Sequence, residues 1–285
     1  MPCFRFVTRP WNRLLVRACA GVSTTNSGVG GGVGSGHAVY ETNRAVHEYL
    51  QFHYAKDSDL MPYGPDVAPT AALGFPRRCS ELALKAPGRR RALDVGCAVG
   101  GMSFELARHF EHVVGIDFSQ AFVNAAEHMK SKGSCDYTTK IEGDIEETRL
   151  AVVDSLVDRS RCSFEQGDAC ALNPSLGAFD AVLAVNLLCR LPDPTAFLNR
   201  CTSLVSPGGV LVLVSPYSWL PDYTAKEHWL GGREAGARSF QVVSGVLQSG
   251  GFELIERRDM PFLIRDHVRK FQWGCSDGTV WKRAG

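Results

Sequence analysis

The chain has 285 residues, with 31 basic and 30 acidic side chains and a formal net charge of +1 at pH 7. With 45% hydrophobic and 21% charged residues, it is long and apolar enough to bury a full core. The balanced charge excludes the positive field that attracts nucleic acid or an anionic membrane, and no run reaches the roughly 18 apolar residues needed to cross a bilayer. We therefore expect a globular protein with no nucleic-acid partner and no membrane anchor.

Residues 1–36 differ in composition from the rest of the chain. No acidic residue precedes Glu41, and arginines recur every four residues among apolar neighbours, at Arg5, Arg9, Arg13 and Arg17. This pattern is typical of an organelle transit peptide, and the glycine-rich stretch after it has the composition of a flexible linker. The alternative is a disordered extension without function. In either case we expect residues 37–285 to form the domain, inside the cell: in the cytoplasm, or in a mitochondrion or plastid if the presequence directs import.

The chain's ten cysteines are scattered along the sequence. They lack the short paired spacings of a zinc site, so the sequence predicts no metal. Free thiols in a reducing compartment are the simpler interpretation.

From His37 onward, amphipathic segments alternate with short apolar ones. A helix is predicted at "NRAVHEYLQFHYA", and with the proline-rich connection after it this gives an N-terminal cap over residues 37–88. The next segments, in chain order, are predicted as strand, helix, strand, helix and strand: "RALDVG", "GMSFELARHF", "HVVGIDF", "SQAFVNAAEHMKSKG" and "CSFEQGDA".

The second half continues the alternation as strand, helix, strand and helix, then two final strands: "FDAVLAVNLLCRL", "PTAFLNRCTSLV", "GGVLVLVSPY", "SFQVVSGVLQSGG", "FELIERRDMPFLIRD" and "GTVWKRA". An extra segment between Lys130 and Arg161, "GDIEETRLAVVDSLVDRS", is predicted as one inserted amphipathic helix. The alternation of strands and helices predicts an α/β fold with a doubly wound, mostly parallel sheet over residues 89–285.

The stretch "ALDVGCAVGG" leaves the first predicted strand through a glycine-rich turn. Open α/β sheets bind their ligands at this edge. Gly96, Cys97 and Gly100 would bring the backbone close to a ligand, with loop amides available to its carboxylate and a helix N-terminus behind them. A dinucleotide fingerprint would have glycine where this chain has Ala98, so the pattern alone decides little.

Aspartates end three successive predicted strands. Asp94 beneath the turn would repel a pyrophosphate but attract an ammonium group. Asp117 can hold both ribose hydroxyls, and Asp168 can accept the adenine amino hydrogen. S-adenosylmethionine, which has an ammonium group and no phosphate, fits these three acids. The full set of residues predicted to bind it also includes two neighbours of the acids, Phe118 and Ala169, and Asn186, which would face its methyl-donor side.

The segments "LDVGCAVGG", "VVGIDFS", "FEQGDA", "FDAVLAVNLL" and "SPGGVLVLVSP" stand in order across residues 90–215. In these segments the chain resembles the class I S-adenosylmethionine-dependent methyltransferases. The resemblance implies a Rossmann-like sheet of seven strands, S-adenosylmethionine as cofactor, and direct methyl transfer without a covalent enzyme intermediate.

A narrower resemblance spans nearly all of residues 38–283. The segments "YETNRAVHEYLQFHYA", "LPDPTAFLNR", "SPYSWLPDYTAKEHWLGG" and "PFLIRDHVRKFQWG" with "TVWKR" are similar to the C-terminal methyltransferase domain of the ovothiol biosynthesis enzymes. This implies methylation of 4-mercaptohistidine (5-thiohistidine), a small-molecule substrate, on its ring nitrogen nearest the side chain. The chain departs from the fused enzymes by lacking the iron-dependent sulfoxide synthase, so we expect a separate upstream source of the substrate.

Most of the candidate acceptor contacts come from these same segments, and Tyr63 lies in the proline-rich connection. As a hypothesis, His53 and Tyr217 orient or deprotonate the imidazole. A carboxylate of the substrate could pair with Arg265, and the other predicted substrate contacts are Tyr54, Tyr63, Lys226 and Trp229. Each of these side chains could instead have only a packing role.

Two other functions are compatible with the same sequence. Loops set specificity on a shared fold, so the acceptor could be another small imidazole or thiol. The domain could also be a non-catalytic, methyltransferase-like binding subunit of a partner enzyme, although an intact donor site argues against it. A dinucleotide oxidoreductase is a weaker candidate.

Overall fold

The computed structural model describes residues 35–64 and 66–285. The predicted transit peptide and most of the glycine-rich linker therefore lie outside the described residues. The first described element is a 3-10 helix, Ser35–Glu41, which already includes the last two residues of the predicted linker.

The described part of the N-terminal cap contains three α-helices, α1 (Asn43–Tyr54), α2 (Asp57–Leu60) and α3 (Phe75–Leu82), and short 3-10 helices between and around them. The predicted first helix is confirmed. It begins where the Thr42 hydroxyl accepts a hydrogen bond from the Ala45 N–H at 3.2 Å, which satisfies a donor at the open helix end. Leu50 is fully buried on the face of α1 that packs on the core.

The main sheet has seven strands: β1 (Arg91–Val95), β2 (His112–Asp117), β5 (Cys162–Gln166), β6 (Phe179–Val185), β7 (Val205–Ser215), β8 (Phe252–His267) and β9 (Lys270–Arg283). Their order is β5-β2-β1-β6-β7-β9-β8. The pairs from β5 to β7 are parallel, whereas β9 is antiparallel to both of its neighbours. The predicted doubly wound, mostly parallel sheet is confirmed.

Helices cover both faces of this sheet: α4 (Gly101–Leu106) and α5 (Gln120–Lys132) on one side, α6 (Pro194–Leu204) and α7 (Ser239–Ser249) on the other. One core includes Leu50, Phe104 and Phe122, and the other includes Phe197 and Trp281. Burial on both faces explains why the central strands are continuous apolar runs rather than alternating ones.

The inserted helix predicted between Lys130 and Arg161 is wrong. The segment forms an antiparallel hairpin, β3 (Ser134–Glu142) and β4 (Ile145–Val152). Gly143 takes φ of +52° in the short turn, a conformation in which glycine is not penalised. Tyr137 and Thr139 are buried on alternate positions of β3, which is the two-residue period of a strand rather than that of a helix.

Strands β8 and β9 form a long hairpin, paired from Phe252 and Arg283 to His267 and Lys270. Both predicted final strands are confirmed, although β9 begins earlier than its sequence pattern indicated. Towards the hairpin end, Leu263 packs in a small cluster with two buried residues of the cap, Met61 and Ala72. Among the described helices, none combines the length and the apolar character required to cross a bilayer.

Candidate active site

The glycine-rich turn follows β1 and has a backbone that requires glycine. Gly96 and Gly100 have φ of +77° and +83°. A Cβ on Gly100 would lie 2.8 Å from the Phe164 ring, so a side chain there is excluded by space as well as by backbone conformation. Ala98 also has a positive φ, +47°, in the same turn.

The amides of this turn are largely used within the protein. The Gly96 and Cys97 N–H groups both donate to the Ile116 carbonyl, at 2.7 and 3.1 Å. The Ala98 N–H donates to Oδ2 of Asp117 at 2.9 Å. The expectation that these amides bind a ligand carboxylate is therefore wrong for these three groups, because their hydrogens are already engaged.

Asp117 stands at the end of β2 with its carboxylate on the turn. Oδ2 accepts from Ala98, and Oδ1 accepts from the Ser119 N–H at 2.9 Å. Burial raises the pKa of Asp117 to about 6, and the two backbone donors oppose that shift. Since each carboxylate oxygen has a second lone pair, Asp117 can still accept two hydroxyl donors from a ligand.

Asp94 lies fully buried beneath the turn and does not line the cavity. Its Oδ2 accepts a hydrogen bond from the Ser103 hydroxyl at 2.6 Å, whereas its Oδ1 is buried without a partner. Burial raises the pKa of Asp94 to about 7, the Ser103 hydroxyl opposes that shift, and the charge of Asp117 adds to it. A carboxylate oxygen left unpaired here fits a cationic ligand group at the turn.

A cavity opens at the carboxyl ends of β1, β2 and β6. It brings together eight of the predicted site residues: His53, Gly96, Cys97, Asp117, Phe118, Asp168, Ala169 and Asn186. Asp168 accepts from the Cys170 N–H at 2.8 Å. Asn186 has φ of +53°, and its side-chain oxygen accepts from the Ser276 hydroxyl at 2.7 Å, which fixes the amide towards this edge of the sheet.

His53 connects the cap to the glycine-rich turn. Its Nδ1 accepts a hydrogen bond from the Gly101 N–H at 3.1 Å. Burial lowers the pKa of His53 to about 4, so the imidazole is neutral at physiological pH. Because Nδ1 is the acceptor, the ring proton is on Nε2, and His53 presents a hydrogen-bond donor rather than a base.

The other predicted contacts in the cap and the final hairpin lie away from the cavity lining. The Tyr54 hydroxyl donates to the Val99 carbonyl at 2.7 Å and so supports the turn. The Tyr63 hydroxyl donates to the Val268 carbonyl at 2.7 Å. Arg265 is 3% exposed and donates to a cap carbonyl, that of Asp59, at 2.5 Å.

The residues predicted beyond β7 also lie outside the cavity lining. The Tyr217 hydroxyl interacts with Asp277, and burial raises its pKa. Trp229 stacks on Trp219 with ring centroids 6.5 Å apart. The Nζ of Lys226 lies 5.9 Å from the Trp229 ring centroid. These contacts stabilise the segment itself and do not bring the three predicted residues to the cavity.

Sequence reasoning missed several cavity residues. Arg190, just after β6, lines the cavity, as does Ile264 of β8. The cap contributes others besides His53: His37, Tyr40, Tyr49 and Phe52. The one available signal was the spacing of Tyr49, Phe52 and His53, which places them on one face of α1.

Part of the chain is similar to known proteins. Residues 93–211, which contain the turn and its aspartates, match a family described as "Methyltransferase domain". A ubiquinone biosynthesis O-methyltransferase from Xanthomonas axonopodis pv. citri (strain 306) is 33% identical over 129 residues, 45% of this chain and 43% of that protein. The chain thus spans less than half the length of that relative.

Solved structures share the fold at low identity. Magnesium protoporphyrin IX methyltransferase (ChlM) from Synechocystis PCC 6803, with bound S-adenosylhomocysteine, matches with a TM-score of 0.52 at 15% identity, over 86% of this chain and 97% of that one. The [4+2]-cyclase SpnF matches with a TM-score of 0.54 at 17% identity, over 87% and 96%. The fold is that of the class I methyltransferases, and SpnF shows that it also hosts another reaction.

Proposed function

We propose that this chain, whose residues 93–211 match a methyltransferase domain, uses S-adenosylmethionine to methylate the imidazole ring of 4-mercaptohistidine. The observation that carries the proposal is the composition of one cavity. Acidic strand ends suited to a nucleoside line one part of it, and an imidazole and aromatic rings from the cap line another. This combination supports the proposal of a donor site next to a site for a small planar acceptor.

The donor would be held by the aspartates at the strand ends. Asp117 would accept the ribose hydroxyls through its free lone pairs, and Asp168 would accept the adenine amino hydrogen. The unpaired Oδ1 of Asp94 would attract the ammonium group through the turn. When bound, S-adenosylmethionine supplies a sulfonium methyl group, so that an S–C bond breaks as an N–C bond forms and a neutral thioether leaves.

The acceptor would be oriented rather than activated by this chain. His53 would donate from Nε2 to an acceptor group, and its low pKa keeps it from taking a proton. Mercaptohistidine carries a thiolate that is a better nucleophile than its ring nitrogen. The walls of the cavity must therefore keep the sulfur out of line with the methyl group while the nitrogen is held in line.

The choice of mercaptohistidine rests on the segments similar to the ovothiol enzymes. Three of them line the cavity: α1 contributes Tyr49, Phe52 and His53, the segment "LPDPTAFLNR" contributes Leu191 and Pro192, and β8 contributes Ile264. Residues 93–211 match a domain described only as a methyltransferase domain, and specificity on a shared fold is set by local loops, so elements outside this core are an expected source of specificity. This placement supports a specific small acceptor of the kind that the resemblance implies.

A second candidate is O-methylation of a phenolic acceptor. The matched relative is an O-methyltransferase of ubiquinone biosynthesis. The cavity also has a largely apolar group of side chains suited to an aromatic ring: Phe52, Phe75, Pro76, Met102 and Ile264. A phenolic ring would need fewer polar partners here than a zwitterionic amino acid does.

The test is to incubate the purified full chain with S-adenosylmethionine and, in parallel, 4-mercaptohistidine, histidine, 3,4-dihydroxybenzoate and a simple thiol. Mass spectrometry identifies S-adenosylhomocysteine and each methylated product. We expect ring-methylated mercaptohistidine and little product from the others. Product only from the phenol would establish the second candidate, and donor binding without any product would favour a non-catalytic binding subunit.

A further inference from the structure

Arg190 is the one lysine or arginine among the described residues that line the cavity. The ionisable residues there are otherwise two aspartates, tyrosines, a buried thiol and two histidines, of which His53 is neutral. Arg190 follows β6 in a short 3-10 helix, Leu188–Arg190, so it lies at the same edge of the sheet as the predicted donor site.

The guanidinium of Arg190 is held in place by neutral groups. Its Nη1 donates to the Ser218 carbonyl at 2.8 Å and to the Cys189 carbonyl at 3.1 Å. Its carbon lies 4.8 Å from the Tyr223 ring centroid, and a further hydrogen bond joins it to the Tyr40 hydroxyl. These contacts fix the orientation of the group and leave its charge uncompensated.

No carboxylate in the described part of the chain forms an ion pair with Arg190. By contrast, Arg108 and Arg149 each pair with two carboxylates at the surface. A half-buried cation in an apolar cavity is costly unless an anion shares the site. The planar guanidinium has five donors, and a ligand carboxylate can take two of them side by side.

We propose that Arg190, oriented by Tyr40, binds the carboxylate of an amino-acid ligand in the cavity. The inference rests on the proposed function, because both mercaptohistidine and the methionine part of the donor carry such a carboxylate. The three loop amides of Gly96, Cys97 and Ala98 are engaged within the protein, so Arg190 is the group best placed to receive this charge. It replaces the earlier candidate, Arg265, which donates to a cap carbonyl outside the cavity lining.

Two pairs of probes distinguish the possible sources of the carboxylate. For the donor, calorimetry compares S-adenosylhomocysteine with 5′-methylthioadenosine, which lacks the amino-acid part. For the acceptor, it compares 4-mercaptohistidine with its decarboxylated amine, both on the full chain loaded with S-adenosylhomocysteine. In at least one pair, we expect the wild-type chain to bind the probe with the carboxylate about 30-fold more tightly than the probe without it. This ratio of Kd values corresponds to a charge-assisted bidentate contact.

The variant Arg190→Met should reduce that preference to about threefold while the carboxylate-free probe of the same pair binds within about threefold of wild type. Arg190→Lys, which keeps the charge without the planar fork, should retain an intermediate preference. Tyr40→Phe removes the orienting hydroxyl and should reduce the preference about threefold. Arg200→Met is the matched control, since Arg200 bonds the Asn173 carbonyl at 2.9 Å and is not in the cavity lining.

Undiminished preference in both pairs after Arg190→Met, or no preference in wild type, would overturn the inference. If Arg190→Met does not fold, Arg190→Lys and Tyr40→Phe decide by the same comparison. Failure of the proposed function gives a different result. Neither 4-mercaptohistidine nor its decarboxylated amine would then bind. The role of Arg190 would be decided by two other comparisons: S-adenosylhomocysteine with 5′-methylthioadenosine, and 3,4-dihydroxybenzoate with catechol, which lacks the carboxylate.

Discussion

The Asp117 carboxylate accepts a hydrogen bond from the Ala98 N–H at 2.9 Å, and Ala98 has a φ of +47°. The left-handed conformation costs a residue with a Cβ about 1 kcal/mol. The bond helps to hold the turn in that conformation and aims the carboxylate at the cavity. One contact therefore connects the backbone strain of the turn to the position of the acid proposed to bind ribose.

Replacing Ala98 with glycine should relieve this strain. We expect the free energy of unfolding to rise by about 0.5 kcal/mol, because a relief of about 1 kcal/mol is partly offset by the greater freedom of glycine in the unfolded chain. Urea unfolding measures the change. Ala125→Gly in the middle of α5 is the control and should lose about 1 kcal/mol. A loss of stability in Ala98→Gly would show that the turn is not strained at this position.

Donor affinity should depend on pH through Asp117. Its pKa of about 6 means that the carboxyl is mostly protonated at pH 5, where it no longer accepts from two ribose hydroxyls. We expect the Kd for S-adenosylhomocysteine to rise about tenfold between pH 7.5 and pH 5, measured by calorimetry.

The variant Asp117→Asn separates the effect of Asp117 on donor binding from that of the second buried acid, Asp94. It should bind S-adenosylhomocysteine at least tenfold more weakly at pH 7.5, because a buried charged acceptor is lost. It should also lose most of the pH dependence, whereas Asp94→Asn should keep the part due to Asp117. A full pH dependence in Asp117→Asn would assign the titration to another group.

The sheet and the position of the polar residues that follow its strands could be predicted because their signals are local. An apolar run that ends in an aspartate places that acid at the carboxyl edge of a parallel sheet, and Asp117, Asp168 and Asn186 all lie there. The glycine-rich turn could be predicted for the same reason, because its glycines directly follow the first strand in the sequence. The hairpin β3–β4 was missed because the apolar residues from Leu150 to Val157 also fit a helical spacing, and only packing decided between the two periods.

The acceptor side depends on contacts between remote segments. Residue type alone makes Tyr63 a candidate substrate contact, yet its hydroxyl donates to a carbonyl 205 residues further along the chain. Arg190, in contrast, follows an ordinary apolar run, and its contacts with Ser218, Tyr223 and Tyr40 come from segments remote in the sequence. Residue type and spacing do not reveal which of the two arginines, Arg190 or Arg265, lines the cavity. That information requires the tertiary structure.

Asp94 should make stability depend on pH. Because burial raises its pKa from the ordinary value near 4 to about 7, the folded chain binds this proton more tightly than the unfolded chain. The stabilisation from protonation is therefore fully present below about pH 4 and is lost as the pH rises through 7. Asp94→Asn, which can still accept from Ser103, should be more stable than wild type at pH 8 by about 2 kcal/mol and should show no such gain at pH 4.5.

Urea unfolding across this pH range provides the measurement. Asp136→Asn, at an exposed position on β3, removes the same charge without a buried environment and serves as the control. If Asp94→Asn and Asp136→Asn changed the pH dependence equally, the effect would come from net charge rather than from the buried carboxyl.

His53 should act as a fixed donor whose Nδ1 supports the turn. Asparagine can replace Nδ1 as the acceptor for the Gly101 N–H, whereas glutamine extends past it towards the position of Nε2. We expect the free energy of unfolding of His53→Asn to stay within about 1 kcal/mol of wild type. That of His53→Gln should fall by about 2 kcal/mol, since glutamine leaves the buried Gly101 N–H unsatisfied.

Because the pKa of His53 is about 4, the pH profile of turnover should have no inflection from this group between pH 5.5 and 8. An inflection near pH 6.5 in wild type that disappears in His53→Asn would instead identify His53 as the base.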